Sequence, residues 1–464
     1  MTKPFYVTAA IPYVNAAPHI GHALEFVQVD VIARFHRLLG KKTIALTGSD
    51  ENALKNVQAA QIAGIPTKEF VDKNAEKFLE LLKKLNTSFD VFQKSTNQNH
   101  IKSSQDLWNR CLKDIYKKTY QGLYCLGCEA FYTEDELVNG ECVEHPGKKL
   151  EIVQEENYFF KLSKYQNQLI DIIKNDKIKI YPEFRKNEVL SFLKQPLQDI
   201  SISRSNKRAK NWGIPVPNDP DQRMYVWFDA LNVYRSGVAD DIWPADLHVI
   251  GKGIIRFHAV YWPAFLLSAN LPLPKAILVH GYFTVNGQKM SKTLGNIIDP
   301  FSVIEKYGAD ALRYYLLKEI SPFNDGDFSF KRLNEVYNSD LANELGNLVS
   351  RLTNLAEKDN LTIKINENFQ FDNSIIDLFN NFQFNLIIEE IWKKIKILNK
   401  KIDDFAPWKK TETERKDFLI EVFQELIKIA KELQPFLPET ADKILKSCQG
   451  KIKKIPPLFP KIKI

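Results

Sequence analysis

Ala9-Ala10-Ile11-Pro12-Tyr13-Val14-Asn15-Ala16-Ala17-Pro18-His19-Ile20-Gly21-His22 joins an apolar run, Phe5–Ala10, to a long helix-periodic segment. The run has the length and composition of a short buried strand, and Ile20, Leu24, Val27, Val31, Phe35 and Leu38 then recur at helical spacing until Gly40. The opening is therefore strand, loop, helix. In such a unit the loop and the helix N-terminus lie at the carboxyl end of the strand, where backbone N–H groups and the helix dipole favour a phosphate. His19 and His22 fall in the first helical turn, with Gly21 between them leaving room for a nucleotide to approach. Paired histidines at a helix start also serve as caps and packing residues, so the pair alone leaves both roles open.

Working outward, Lys42–Thr47 is a second short apolar strand, followed by Gly48-Ser49-Asp50-Glu51-Asn52 and a helix expected to start near Glu51. Asp50 then sits at a strand end in the same crevice as His19, where it serves equally as a helix N-cap. Residues from about 67 to 120 read as helical and amphipathic, with Phe70, Phe78, Leu81, Leu82 and Leu85 on one face. Tyr225–Ala230 reads as a strand rich in aromatics, and Asp246–Gly251 as another. From Tyr307 onward the chain is expected to be helical, with Asn347 and Arg351 at i, i+4 on one face and Ala406-Pro407-Trp408 ending a lysine-rich helix.

Cys125, Cys128, Cys142 and His145 follow a C-x2-C-x13-C-x2-H pattern, which is tetrahedral zinc spacing. Three of the five cysteines are used here. Four protein ligands leave no open coordination position, so the Zn2+ is expected to be structural, one per chain. It would fold a small knuckle with too little apolar surface to order itself. Cys111 and Cys448 are left as buried small hydrophobes.

Composition bounds the class of protein. The 464 residues suffice for about three domains, and 44% hydrophobic with 26% charged residues is ordinary for a globular chain. No apolar run reaches the roughly 18 residues of a membrane span, and no signal or transit segment precedes the first strand. A cytoplasmic location is expected. The formal charge of +7 is uneven: residues 391–464 hold 18 Lys+Arg against 10 Asp+Glu. A basic end suits a polyanionic partner such as RNA, although lysine-rich composition explains it as plainly.

Far downstream, Gly287-Gln288-Lys289-Met290-Ser291-Lys292-Thr293-Leu294-Gly295 is a polar loop with two lysines and glycine on each side. Together with His19-Ile20-Gly21-His22 it resembles the paired HIGH and KMSKS signatures of class I aminoacyl-tRNA synthetases, most closely the methionyl-tRNA synthetases. Thr293 stands where serine is usual and keeps the hydroxyl. Further stretches share the likeness: Asp199-Ile200-Ser201-Ile202-Ser203-Arg204 with Trp212-Gly213-Ile214-Pro215-Val216-Pro217, and Asp50 in the family's TGTDEHG stretch, here with Asn52 and Ala53 in place of His-Gly.

The resemblance implies a Rossmann-like α/β catalytic fold interrupted by a zinc-knuckle insertion and followed by an all-α anticodon-binding bundle. The expected divisions are 1–115 and 201–285 for the two catalytic halves, 116–200 for the insertion, 286–334 for the KMSKT loop and stem-contact region, and 335–464 for the helical domain. It implies catalytic roles for His19, His22, Lys289 and Lys292, and a methionine pocket of Ile11, Tyr13, Asp50, Trp227, Tyr234, His258 and Trp262. Tyr13 and His258 would donate hydrogen bonds to the thioether sulfur, which also packs well on aromatic rings. ATP with Mg2+ would meet His19, Gly21, His22, Glu25, Arg204, Gly251 and Lys292. The CAU anticodon of tRNA(Met) would meet Asn347, Arg351, Pro407 and Trp408. Leu231 stands where the family has proline, and Gly253 where it has aspartate. The implied reaction is ATP-dependent ligation of L-methionine to tRNA(Met) through methionyl-adenylate. A monomer is expected, because the chain stops about where the helical domain ends. Another class I synthetase would share both signatures without the aromatic pocket set, and a non-catalytic tRNA-binding paralogue would have lost a signature lysine or histidine.

Overall fold

The computed structural model describes residues 3–128, 130–132, 134–145, 147, 150–290, 295–365 and 369–462. Contacts divide the chain into two compact units. The first comprises Met1–Pro18, Lys41–Leu81 and Phe89–His280; the second comprises His19–Gly40, Leu82–Ser88 and Gly281–Ile464.

The first unit is built on a six-stranded sheet. Its strands are β1 (Phe5–Ala9), β2 (Thr43–Ser49), β3 (Val91–Lys94), β4 (Lys179–Tyr181), β5 (Leu247–Gly251) and β6 (Ala276–His280). They lie in the order β3-β2-β1-β5-β6-β4, and every pairing is parallel. Strands buried on both faces read as continuous apolar runs, as Tyr6, Val7, Thr8 and Ala9 do at 0% exposure. Strand order reverses beside β1, so ligands belong in the crevice beyond the carboxyl ends of β1 and β5. Ile11 and Tyr13 follow β1, Asp50 follows β2, and Gly251 closes β5.

From this sheet the chain runs into a long antiparallel hairpin, Ile115–Cys125 with Glu151–Phe160, carrying the cysteines at its tip. The region about 67 to 120 is not continuously helical. Helices Thr67–Lys84 and Gln98–Cys111 flank β3, and the hairpin begins at Ile115. A four-residue edge strand is too short to show a period, which is why it hides between two helices. Tyr225–Ala230 is likewise not a strand: Tyr225 is extended, and Val226–Ala230 forms one helical turn, α3, which follows α1 (Ile20–Leu38) and α2 (Leu54–Ala63) along the chain. All five residues of α3 are buried. Phe228 packs against Trp108 and Phe265 while Trp227 stacks on Phe257. Side chains needed on several sides are presented by a helical turn, whereas a strand offers only two faces; aromatic β-propensity is overridden.

In the second unit, α1 is anchored by a fully buried ion pair between Asp30 and Arg313, 2.7 Å apart. Arg313 also donates to the carbonyls of Pro435 and Phe436, so the guanidinium's donors are used within the core. The C-terminal region is mainly helical. It includes α4 (Asn347–Lys358), α5 (Phe384–Phe405) and α6 (Glu412–Leu433). A two-stranded pairing of Thr362–Ile363 with Gly450–Lys451 departs from the all-helical expectation. No helix among the described residues is long and apolar enough to cross a membrane.

Candidate functional site

His19 is the N-cap of α1, and the two histidines close a capping box. His19 Nδ1 accepts the Gly21 backbone N–H at 3.1 Å, and His22 Nδ1 accepts the His19 backbone N–H at 3.1 Å. The rings stack with centroids 3.9 Å apart. Burial, reinforced by His19, holds the His22 pKa well below that of free histidine. With Nδ1 accepting in both rings, the neutral tautomer carries its proton on Nε2. Capping thus uses Nδ1 of each ring. A Cβ on Gly21 would lie 3.0 Å from the His19 ring, tighter than packing normally allows, so the glycine serves the histidine pair itself.

The second signature approaches the same helix start. The Ile20 backbone N–H donates to Ile298 O at 3.1 Å, and Met290 Cε lies 3.8 Å from where a Gly21 Cβ would be. Gln288–Lys289 pairs with Thr284–Val285 as a short antiparallel strand. Ser291, Lys292, Thr293 and Leu294 lie outside the described residues. Glu25 is half-buried one turn along α1.

The first unit holds a box of rings. Trp227 stacks on Phe257 at 3.7 Å and meets Tyr13 and His258 edge to face, each at 6.3 Å. Tyr234 lies 5.6 Å from His258. Phe257–Tyr261 is π-helical, a wider turn that brings Phe257 and His258 to the same rings. Tyr13 forms an isolated parallel bridge with Asp50, which accepts the Asn52 backbone N–H at 3.2 Å. Asp50 is buried but is no N-cap, because α2 begins at Leu54 with Ala53 in the cap position. Ile11 packs half-buried against the same core, and Trp262 is wholly buried beside Trp243 at 5.7 Å. Arg204 is buried, with its guanidinium 5.6 Å from the Tyr225 ring, and a Cβ on Gly251 would lie at ordinary contact distance, 3.4 Å, from the His280 ring.

His258 does not fit the expected role of sulfur donor. Its Nδ1 lies 2.9 Å from Ile254 O, which can only accept, so Nδ1 carries the proton. Nε2 must then accept, and it does so from the Tyr234 hydroxyl at 2.8 Å. Burial lowers the His258 pKa to about 4, which keeps the ring neutral with no second N–H to give. Phe257 and Lys55 were missed by the sequence reading. Phe257 adjoins His258, but the π-turn that brings it to the rings leaves no sequence period to find it by. Lys55 lies 3.3 Å over the Tyr13 ring, a contact between residues with no shared pattern.

Cys125, Cys128, Cys142 and His145 converge with all ligand atoms within 4.8 Å of one another. Cys128 Sγ lies 3.4 Å from Cys142 Sγ and 3.2 Å from His145 Nδ1. Three thiols and an imidazole at such spacing fit a tetrahedral zinc ion with bonds of roughly 2.0–2.3 Å.

In the helical region Asn347 and Trp408 are exposed, Arg351 is half-buried and Pro407 is buried. The Arg351 guanidinium lies 5.8 Å from the Trp408 ring and pairs with Asp403 at 2.6 Å. Trp408 follows Ala406, whose left-handed φ of 49° ends α5.

A family model described as "tRNA synthetases class I (M)" matches residues 5–149 and 144–353. A methionine–tRNA ligase of Rhizobium meliloti is 41% identical over 96% of this chain and 91% of its own length. One from Nostoc is 45% identical over 77% of this chain and 69% of its own. Among solved structures, Mycobacterium tuberculosis methionyl-tRNA synthetase bound by methionyl-adenylate superposes with a TM-score of 0.90 at 37% identity, covering 99% of this chain and 100% of that one. The signatures at the start of α1, the ring box beyond β1 and these likenesses agree: the chain belongs to the class I aminoacyl-tRNA synthetases, in the methionyl-tRNA synthetase family.

Proposed function

We propose that this chain ligates L-methionine to tRNA(Met) in two steps. A carboxylate oxygen of methionine attacks the α-phosphorus of ATP in line. The bond from that phosphorus to the bridging oxygen breaks, and pyrophosphate leaves with the electron pair. A terminal ribose hydroxyl of the tRNA then attacks the carbonyl carbon of methionyl-adenylate, and AMP departs, its phosphate accepting the hydroxyl proton. The first nucleophile is already an anion, so no general base is needed, and catalysis consists of positioning and charge stabilisation.

The residue roles are assigned on chemistry. His19 and His22 direct their Nε2–H groups to phosphate oxygens as the α-phosphorus becomes pentacovalent, with orientation set by the capping box. Gly21 and Glu25 line the same helix start, and Arg204 and Gly251 complete the nucleotide contacts. Lys289 and Lys292 stabilise the departing pyrophosphate with Mg2+. Ile11, Tyr13, Trp227, Tyr234 and Trp262 surround the methionine side chain, and Asp50 takes its ammonium group. The ring proton of His258 is committed to Ile254, so we assign His258 to hold Tyr234 rather than to touch sulfur. Asn347, Arg351 and Trp408, set by Pro407, take the CAU anticodon by stacking and base-edge hydrogen bonds. The three cysteines and His145 hold one zinc ion whose chemistry is structural: it orders the knuckle. The divisions given above for the catalytic halves, insertion, stem-contact region and helical domain remain our assignment, as do a monomeric state and a cytoplasmic location.

The ring box carries this reading, because aromatic rings gathered beyond β1 suit a soft thioether. Its test is ATP–pyrophosphate exchange with each of the twenty amino acids. Methionine alone should support exchange. Exchange driven by leucine, valine or cysteine would assign the box to another side chain.

A further inference from the structure

Two consecutive residues of the knuckle reach the ring box. Lys55, at the second position of α2, donates from Nζ to Gly127 O at 3.2 Å, and the same ammonium lies 3.3 Å over the Tyr13 ring. One residue further, Cys128 O accepts the Trp227 indole N–H at 3.5 Å. Tyr13 and Trp227 face each other edge to face. Both aromatic walls are thus held from behind by the turn between the first two cysteines. That turn has little slack, since a Cβ on Gly127 would come within 2.5 Å of the His145 ring.

We propose that Lys55 is a positioning residue that, with Trp227, couples metal binding in the knuckle to methionine binding in the ring box. The proposal rests on reading that box as the methionine site. The small knuckle is ordered by its ligands closing on one ion. When they are not so gathered, the Gly127 and Cys128 carbonyls move together. The ammonium then loses the acceptor that parks it over Tyr13, and the Trp227 N–H loses its partner. A cation held over a ring favours one ring orientation, and a buried indole N–H without an acceptor disfavours the old one. The coupling must be reciprocal: the factor by which metal tightens methionine binding is the factor by which methionine tightens metal binding.

The experiment uses the full-length zinc-loaded chain without ATP. Methionine affinity is read by tryptophan fluorescence, and zinc affinity by competition with a chromophoric chelator, with and without saturating methionine. In the wild type, methionine should tighten zinc by about fivefold or more. In Lys55→Met the tightening should fall to the part that the Trp227 contact carries and methionine Kd should rise correspondingly, with an unchanged melting temperature for the zinc-loaded form. Lys55→Arg, which keeps a cation and a donor, should recover most of both effects. Equal tightening in wild type and Lys55→Met, or none in the wild type, would overturn the coupling while leaving the methionine site standing. A wild type that neither binds methionine nor supports exchange would overturn the site and the coupling together.

Discussion

The ring box and the Trp408 face are both assigned a tryptophan that meets a ligand, yet they are built in opposite ways. Trp227 is 9% exposed, stacked on Phe257 and crossed by Tyr13 and His258. Trp408 is 55% exposed, and its neighbouring charge is the Arg351 guanidinium. In the box, the groups assigned to bind substrate are also part of the hydrophobic core, so function and stability are one property. On the face, stability comes from buried residues such as Leu348, Val349 and Leu352 of α4, and the exposed residues are free to serve a partner. A pocket for a small apolar side chain has to exclude water, whereas a platform for an RNA base has to remain open to it.

The sharpest way to break this contrast is Trp227→Ala. It should cost about 3 kcal/mol or more of stability and lower methionine-dependent exchange at least about 100-fold, measured as a melt and a rate on one preparation. A slow enzyme with an unchanged melt would show that the box is not part of the core.

His22 tests whether one residue can belong to both kinds of site. His22→Ala should slow adenylate formation about 100-fold and remove about 1 kcal/mol of cap stabilisation. His22→Gln keeps a side chain able to reach back to the cap N–H, so it should restore the melt but not the rate. If glutamine restored both, the histidines would be caps alone.

Trp408→Ala should remove a platform worth roughly 1–3 kcal/mol. Charging of a CAU-anticodon tRNA should fall by one to two orders of magnitude. Exchange should stay within about twofold of wild type, and stability within about 0.5 kcal/mol. Parallel loss in exchange, charging and melting temperature would return Trp408 to the core and erase the contrast.

Gly253 sits in the short 3-10 turn after β5, at the place where the family resemblance of the sequence implies aspartate. Gly253→Asp should tighten ATP by about 1–2 kcal/mol if it regains a ribose hydrogen bond. Unchanged or weaker ATP binding by equilibrium dialysis would mean that a neighbour already fills the place.

The smallest effect concerns pH. His258 is held neutral with a folded pKa of about 4, lowered by burial, against an unfolded value of about 6.5. Between those values the unfolded ring binds a proton that the folded ring refuses, so stability falls as pH drops from about 6.5 toward 4. His100 and His248, also lowered by burial, act in the same direction. His258→Gln should therefore make the denaturant midpoint less steeply dependent on pH without abolishing the slope. An unaltered slope would place the proton uptake elsewhere.

Some of this protein was settled by its sequence alone. The apolar run Phe5–Ala10 as a buried strand, the histidine pair at the start of α1, and the cysteine spacing all depend on neighbours a few residues apart, which local period and chemistry record. The family likeness followed from two short signatures whose residues meet at the start of α1. Other features were decided only when distant segments met. Tyr225–Ala230 has the composition of a strand, but contacts from Trp108, Phe257 and Phe265 on several sides select a helical turn. The direction of the His258 proton depends on a carbonyl four residues back and a hydroxyl twenty-four residues away. Lys55 reaches Tyr13 and Gly127, which lie 42 and 72 residues from it in the chain. Hydrogen-bond direction and ring contact require atoms within about 3–6 Å, and no period in the chain encodes which distant atoms will be brought that close.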